Sequence, residues 1–180
     1  MRKGSYNKML LRVAAELTPA GAHLEIFDIA RVPLFNQDIE GSMPADVKEF
    51  KRKIRAADAI LIATPEHNYS MPGVLKNAID WASRPYGDNS FDGKPAAIMS
   101  ASVGLLGGAR AQYHLRQACV FLDMHPINRP EVMVAMAGEK FDDKGRLLDE
   151  KARELVKQLL ENLVAFTWKL KGTHRLQAVT

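Results

Sequence analysis

The sequence predicts an α/β protein in which helices cover both faces of a mostly parallel β-sheet. Segments with helical spacing of apolar residues alternate along the chain with short apolar runs. Two of those runs, 59–63 and 96–99, are apolar throughout, which is typical of parallel strands buried on both faces. The chain has 180 residues, 47% of them hydrophobic and 26% charged, enough to bury one ordinary core. We therefore expect a single domain spanning residues 1–180.

The first predicted elements are a helix and a strand. Ser5 and Asn7 are good capping residues, and apolar residues recur after them at helical spacing until Pro19 and Gly21 end the pattern. Residues 23–28 then alternate between apolar and polar side chains, which predicts a strand.

The middle of the chain predicts two more helices around a buried strand. Residues 30–42 form a connection longer than most, which we expect to shape a site or an interface. Pro44 suits the first turn of a helix that continues to Ala56. The apolar run 59–63 is the next strand, and a helix is predicted from about Gly73 to Ser83.

The last part of the chain repeats this alternation. The strand 96–99 leads through a glycine-rich turn into a helix from Gly108 to about Leu122. A short strand at 131–135, an acidic turn at 142–145 and a long amphipathic helix from Asp149 to Leu170 complete the pattern.

Composition argues against several classes of partner. The net charge is +4, but 25 basic residues are interspersed with 21 acidic ones and form no basic block, so we expect no nucleic-acid partner. The only cysteine is Cys119, which excludes a disulfide framework and a thiolate metal site, and we expect no metal. We see neither a membrane-spanning run nor the apolar core of a signal peptide, so we expect no membrane association and a cytoplasmic location.

Three polar loops should meet where the parallel strands end, the edge at which open α/β sheets bind ligands. Residues 2–7 offer a guanidinium, a hydroxyl, an amide and the free N–H groups of a helix start, which suits a phosphate. The alternative is that residues 2–7 are only a basic tail followed by an ordinary helix cap. Residues 65–70 carry amide, imidazole and phenol groups between prolines, which suits a flat heteroaromatic ring. Here the alternative is that Asn68 and Ser70 only make turn and capping bonds.

The third loop, residues 100–110, is rich in glycine and opens a helix. It would let the backbone approach a ligand closely, although turn geometry alone could also require these glycines. It matches neither the dinucleotide pattern Gly-x-Gly-x-x-Gly nor a P-loop, and the chain has no Gly-x-Ser-x-Gly nucleophile elbow.

Together the three loops resemble those of the flavodoxin-like NAD(P)H-dependent FMN reductases, especially their quinone and chromate reductase branch. The motifs of that family are Gly-Ser-Leu-Arg-x-Gly-Ser-x-Asn, Pro-Glu-Tyr-Asn-x-Ser leading into Pro-Gly-x-Leu-Lys-Asn-Ala-Ile-Asp-Trp, and Ser-x-Gly-x-x-Gly-Gly-x-Arg. This chain has matching residues at 2–7, 65–81 and 102–110, and the resemblance runs from about Arg2 to Leu170. It implies a flavodoxin-like three-layer α/β/α fold that forms one FMN-binding domain.

The resemblance also implies roles for individual residues. FMN would be the cofactor and NADH or NADPH the electron donor, with hydride passing to flavin N5 and two electrons then leaving to a quinone, chromate, an azo or nitro compound, or free flavin. No side chain need act as acid or base. Similar proteins form homodimers or homotetramers, with Arg110 and Tyr113 in the region of the interface. The implied cofactor-binding residues are Arg2, Ser5, Tyr6 and Asn7 at the phosphate, Pro65, Glu66, His67, Asn68 and Tyr69 along the ring, and Ser102 and Gly104 opposite.

The sequence departs from the family pattern in two places. His67 stands where tyrosine is usual, and a histidine cation there would favour reduced, anionic flavin. The sequence also starts inside the phosphate loop, without the family's first strand, which is central in flavodoxin-like sheets. Removing a central strand leaves a gap of roughly 10 Å, so the sheet should close up or expose two edges. We therefore expect that the start of this sequence is misassigned.

Two other functions are compatible with the same fold. A pure electron carrier would usually be strongly acidic, unlike this chain, and a non-catalytic assembly partner would bind no FMN. A hydrolase is disfavoured because Ser102 has neither elbow geometry nor an evident base.

Overall fold

Helices pack on both faces of a small parallel sheet in this computed structural model, which describes residues 2–172. In that part of the chain β2 is the central strand, and every pairing it makes is parallel. One edge of β2 pairs with β1, while β3 and β4 pair with its opposite edge at different heights. The strands are β1 (Ile60–Ala63), β2 (Pro95–Ala101), β3 (His125–Pro126) and β4 (Val132–Val134).

The helices agree with the sequence prediction to within a few residues. Pro44 is the N-cap of its helix and not a first-turn residue, and Ser5 caps the first helix. The sequence analysis predicts neither β3 nor the four-residue helix Ala137–Lys140. None of the helices within residues 2–172 combines the length and apolar composition needed to cross a bilayer. The helices are α1 (Tyr6–Glu16), α2 (Ala45–Ala56), α3 (Gly73–Ala82), α4 (Ala109–Phe121), α5 (Ala137–Lys140) and α6 (Glu150–Gly172).

Two apolar cores lie on opposite faces of β2, and this creates the predicted three layers. Every residue of β2 is buried, and successive side chains alternate between the two faces. Ala97 and Met99 pack in the core that includes α1 and α6. Ala96 and Ile98 pack in the core that includes α2, α3 and α4. The flavodoxin-like α/β class is therefore confirmed.

The predicted strand at 23–28 is wrong. The segment is irregular, and no residue between 2 and 172 forms a backbone hydrogen bond with it. A strand persists only where a neighbour completes its ladder. The neighbour available here is β1, but a cavity separates the two segments, and both line it. Of the two expected outcomes, closing of the sheet or two unpaired edges, residues 2–172 show the second at this place.

Candidate functional site

Three loops meet at the carboxyl ends of β1 and β2. We call them the amino-terminal loop (residues 2–7), the ring loop (residues 65–70) and the glycine loop (residues 102–108). All three contribute to the wall of one large cavity, whereas the predicted site residues Asn68, Tyr69 and Gly104 lie outside its lining. The predicted residues that line it are Arg2, Ser5, Tyr6, Asn7, Pro65, Glu66, His67 and Ser102.

The amino-terminal loop presents positive charge and free N–H groups. Ser5 Oγ accepts a hydrogen bond from the Lys8 N–H at 3.4 Å and so caps α1. The N–H groups of Tyr6 and Asn7 precede the first intrahelical bond, so they have no acceptor within the helix. The exposed Arg2 guanidinium lies 5.3 Å from the centre of the Tyr6 ring. A cation beside the positive end of a helix dipole suits an anionic group such as a phosphate.

The side chain of Asn7 also has a structural role that the sequence did not predict. Its buried side chain donates to the Ala101 carbonyl at 2.8 Å and accepts from the Ala101 N–H at 2.9 Å. This pair of bonds fixes the start of α1 to the end of β2. These bonds use one Nδ2 hydrogen and one lone pair of Oδ1, so the second Nδ2 hydrogen and the backbone N–H are left for a ligand.

The ring loop is a tight two-residue turn. The backbones of His67 and Ser70 exchange two hydrogen bonds of 2.9 Å each. Between them Asn68 (φ 49°) and Tyr69 (φ 66°) both adopt the left-handed conformation. Positive φ at both central residues is the geometry of a type I′ turn, and it is costly for a tyrosine. The alternative was that Asn68 and Ser70 only make turn and capping bonds. Turn bonds are present, but backbone groups make them, and no side chain caps α3.

A salt bridge fastens the ring loop to α4. The Glu66 carboxylate is 8% exposed and accepts hydrogen bonds from the Arg110 N–H at 3.1 Å and from Arg110 Nε at 2.5 Å. The Arg110 guanidinium also lies 3.6 Å from the centre of the Tyr69 ring, a cation–π contact. Burial by itself would raise the pKa of Glu66, but the hydrogen bond and charge of Arg110 outweigh burial and lower the pKa below its ordinary value. Glu66 is therefore ionised at neutral pH.

Close packing requires glycine at two positions of the glycine loop. A Cβ on Gly107 would lie 2.8 Å from the Met133 carbonyl, and one on Gly108 would lie 2.8 Å from the Ser100 side chain. Both glycines have positive φ. The turn-geometry explanation therefore accounts for these two positions. Gly104 differs, because a Cβ there would meet only Ser102 Oγ, at 3.7 Å.

The motif after the ring loop positions the long connection that precedes α2. Asn77 Oδ1 accepts from the Phe35 N–H at 2.7 Å, and Asn77 Nδ2 donates to the Pro33 carbonyl at 2.8 Å. Trp81 Nε1 donates to the same carbonyl at 2.9 Å. Asparagine and tryptophan four residues apart share one face of a helix, and that spacing was the available signal.

The arrangement fits a planar ring that carries a phosphate tail. The amino-terminal loop supplies a cation and free N–H donors, and the ring loop and the Ser102 end of the glycine loop flank the adjoining space. A cavity that is mostly apolar with a few convergent polar groups is typical of cofactor sites.

Comparisons with known proteins agree with this geometry. The sequence profile of the NADPH-dependent FMN reductase family matches residues 1–139. An NAD(P)H-dependent FMN reductase of Pseudomonas aeruginosa is 56% identical over 173 residues, covering 96% of this chain and 93% of the relative. An NADPH:quinone oxidoreductase of Arabidopsis thaliana is 48% identical over 179 residues, covering 96% and 90%.

A solved structure extends the comparison to the fold. The flavoenzyme FerB, an NAD(P)H:(acceptor) oxidoreductase from Paracoccus denitrificans, superposes with a TM-score of 0.86 at 35% identity. The match covers 94% of this chain and 93% of FerB. The chain therefore belongs to the NADPH-dependent FMN reductase family.

Proposed function

We propose that this chain binds FMN at the carboxyl edge of β1 and β2 and transfers two electrons from NAD(P)H to quinones or similar oxidised small molecules. The observation that carries the proposal is the meeting of the three motif loops around one cavity in a member of this family. Bound FMN would supply the redox chemistry, and the protein would supply binding and orientation.

The proposed residue roles combine the family resemblance with the placement of the loops. Arg2, Ser5 and the free N–H groups at Tyr6 and Asn7 would hold the phosphate. The ring loop, from Pro65 through Glu66, His67, Asn68 and Tyr69, would lie along the isoalloxazine ring, with Ser102 and Gly104 on the opposite side. Arg110 would act indirectly, because it holds Glu66 and Tyr69 in place.

The acceptor class rests on relatives that are named quinone reductases. We propose chromate, azo or nitro compounds and free flavin as further electron acceptors. Either NADH or NADPH would serve as the electron donor. We also propose a cytoplasmic location. Catalysis would need no acidic or basic side chain, because the flavin would carry the redox chemistry.

Self-association belongs to the proposal as well. Helix α4 exposes Tyr113, Val120 and Phe121, and the Tyr113 hydroxyl donates to Glu131 at 3.1 Å. Apolar side chains exposed together on a helix are typical of a protein interface. We infer a homodimer or homotetramer with Arg110 and Tyr113 at the contact.

Anaerobic spectroscopy tests the proposed activity. The protein is mixed with FMN, NADPH is added, and then a quinone, while flavin absorbance is followed. The expected result is bleaching by NADPH, recovery with quinone, and steady NADPH consumption when quinone is in excess. An electron carrier would not sustain NADPH consumption, and a non-catalytic assembly partner would not bind FMN. Either result would overturn the proposal.

A further inference from the structure

A buried glutamine lies under the glycine loop, two residues past Arg110, where the sequence motif ends. Gln112 is fully buried near the start of α4. Its Nε2 atom donates to Ser100 Oγ and to the Val132 carbonyl, both at 2.8 Å. Ser100 belongs to β2 and Val132 to β4, so one side-chain amide ties α4 to two strands.

The Ser100 hydroxyl carries this connection into the glycine loop. It donates to the Gly107 carbonyl at 2.6 Å. A hydroxyl has a single hydrogen, so the bond that Ser100 accepts from Gln112 directs that hydrogen toward Gly107. The bond from residue 100 to residue 107 closes the glycine loop at its base.

The base of the glycine loop is also where the ring loop begins. A Cβ on Gly108 would lie 2.8 Å from Ser100 Oγ and 3.8 Å from the carbonyl oxygen of Thr64, the residue before the ring loop. Two residues further on, the Arg110 N–H donates to the Glu66 carboxylate at 3.1 Å. This short stretch therefore lies against both loops that flank the space proposed for the ring.

Packing alone does not account for a glutamine at this position. An amide is costly to bury compared with an apolar side chain of similar size, and Leu115 and Cys119 on the same buried face of α4 are apolar. Gln112 Oε1 accepts no hydrogen bond from residues 2–172, which adds to that cost. The two bonds that its nitrogen donates are therefore the reason for its place in the core.

We infer that Gln112 is a positioning residue that, through Ser100, sets the distance between the glycine loop and the ring loop. Buried polar groups that are hydrogen-bonded to several elements favour one arrangement of those elements over others. The inference rests on the proposed function, in which the isoalloxazine ring of FMN occupies the space between the two loops.

This arrangement concerns the ring and not the phosphate. The amino-terminal loop has its own attachment, the two bonds between Asn7 and Ala101. Loss of the Gln112 bonds should therefore weaken the binding of FMN and of riboflavin by the same factor, because both carry the isoalloxazine ring. A change in the phosphate site would weaken FMN binding alone.

Two variants test the role of Gln112. Gln112→Met keeps the length of the side chain but removes both N–H donors, and Ser100→Ala removes only the link to Gly107. The control is Cys119→Ala, because Cys119 is buried on the same helix within the apolar core. Flavin fluorescence is titrated at a temperature at which melting curves show every variant to be folded. We expect both test variants to bind FMN and riboflavin about tenfold more weakly, the effect of one lost hydrogen bond, and the control to bind like wild type.

Hydrogen exchange on the flavin-free protein gives a second measurement. The Gly107 N–H donates to the Gly104 carbonyl at 3.4 Å inside the loop. We expect its exchange to be at least about fivefold faster in both test variants than in wild type, because the base of the loop is released. The double variant should resemble Gln112→Met, since the two residues act in series.

Four results would overturn the inference. Unchanged exchange at Gly107 in Gln112→Met, at any flavin affinity, means that the amide does not hold the loop. Faster exchange with unchanged flavin affinity means that the position of the loop does not affect binding. An equal loss of affinity in Cys119→Ala means that any loss of stability weakens binding. A loss confined to FMN means that Gln112 acts on the phosphate site. The exchange measurement needs no flavin, so it tests the hold of Gln112 on the loop separately from the proposed flavin chemistry.

Discussion

The Glu66 carboxylate is only 8% exposed, and the side chain of Arg110 balances its charge. The same guanidinium stacks on Tyr69, a residue with positive φ at the turn of the ring loop. Loss of the Glu66 charge would therefore loosen the strained turn as well as the salt bridge. This pair is the structural link between the ring loop and α4.

Replacement of Glu66 by glutamine should lower the melting temperature at neutral pH by about 3 °C, because Arg110 loses its charged partner. The pKa of Glu66 is below its ordinary value of 4.5, so the stabilisation is complete above about pH 4.5 and is lost as pH falls through the lower pKa of the folded state. The difference between wild type and E66Q should thus shrink on acidification. Thermal unfolding at pH 7 and pH 4 measures it.

The control for E66Q is Glu49→Gln, which removes an exposed ion pair with Arg52. Such surface pairs contribute little, so this variant should melt like wild type. A Glu66→Gln protein that melts like Glu49→Gln at pH 7 would contradict the structural role of the salt bridge.

Sequence patterns identified the residue types at the site but not all of their partners. The motif loops located Asn7 and Glu66, and the structure shows that their side chains bind Ala101 and Arg110. Those partners lie far along the chain, 94 and 44 residues away. Their meeting depends on how α1 and α4 pack on the sheet, which local spacing does not encode.

The turn between β2 and α4 depends on two glycines. At Gly107 an added Cβ would lie 2.8 Å from the Met133 backbone, in a region where φ is +59°. We expect Gly107→Ala to destabilise the protein by about 2–3 kcal/mol, because both the clash and the backbone strain must be relieved by movement of β4. Urea unfolding measures the change.

Gly41→Ala is the matched control for G107A, since a Cβ at Gly41 would meet nothing within 4 Å and its φ is ordinary. This control should be neutral or slightly stabilising. If the two alanine variants unfold at the same urea concentration, packing does not explain the glycine loop.

Helices were easier to predict than strands. Helix bonds join residues four apart, so the spacing in 6–16 or 150–172 carries its own signal. A strand needs a partner from elsewhere, and the alternating segment 23–28 stays irregular without one. The two-residue segment β3 does form a strand, because β2 lies beside it and pairs with it.

At the scale of the whole molecule, the exposed face of α4 should control assembly. Phe121 is 72% exposed, and Val120 beside it is 83% exposed. If this face is the interface, Phe121→Glu should place a charge in it and shift the protein toward the monomer. Sedimentation over a range of protein concentrations measures the shift.

Leu34→Glu is the control for F121E, because Leu34 is equally apolar and exposed but lies outside α4. It should leave the oligomeric state of wild type unchanged. Identical sedimentation of F121E and wild type would remove α4 from the interface.

The most direct test of the account compares FMN with riboflavin, which lacks the phosphate. Each is titrated into the protein while flavin fluorescence is followed. If the amino-terminal loop holds the phosphate, FMN should bind at least about tenfold more tightly, since a charged hydrogen-bonded contact contributes roughly 1.5–3 kcal/mol. Arg2→Ala should reduce that preference, whereas Arg31→Ala, outside the cavity lining, should not. Equal affinity for FMN and riboflavin would contradict the assignment of the phosphate site.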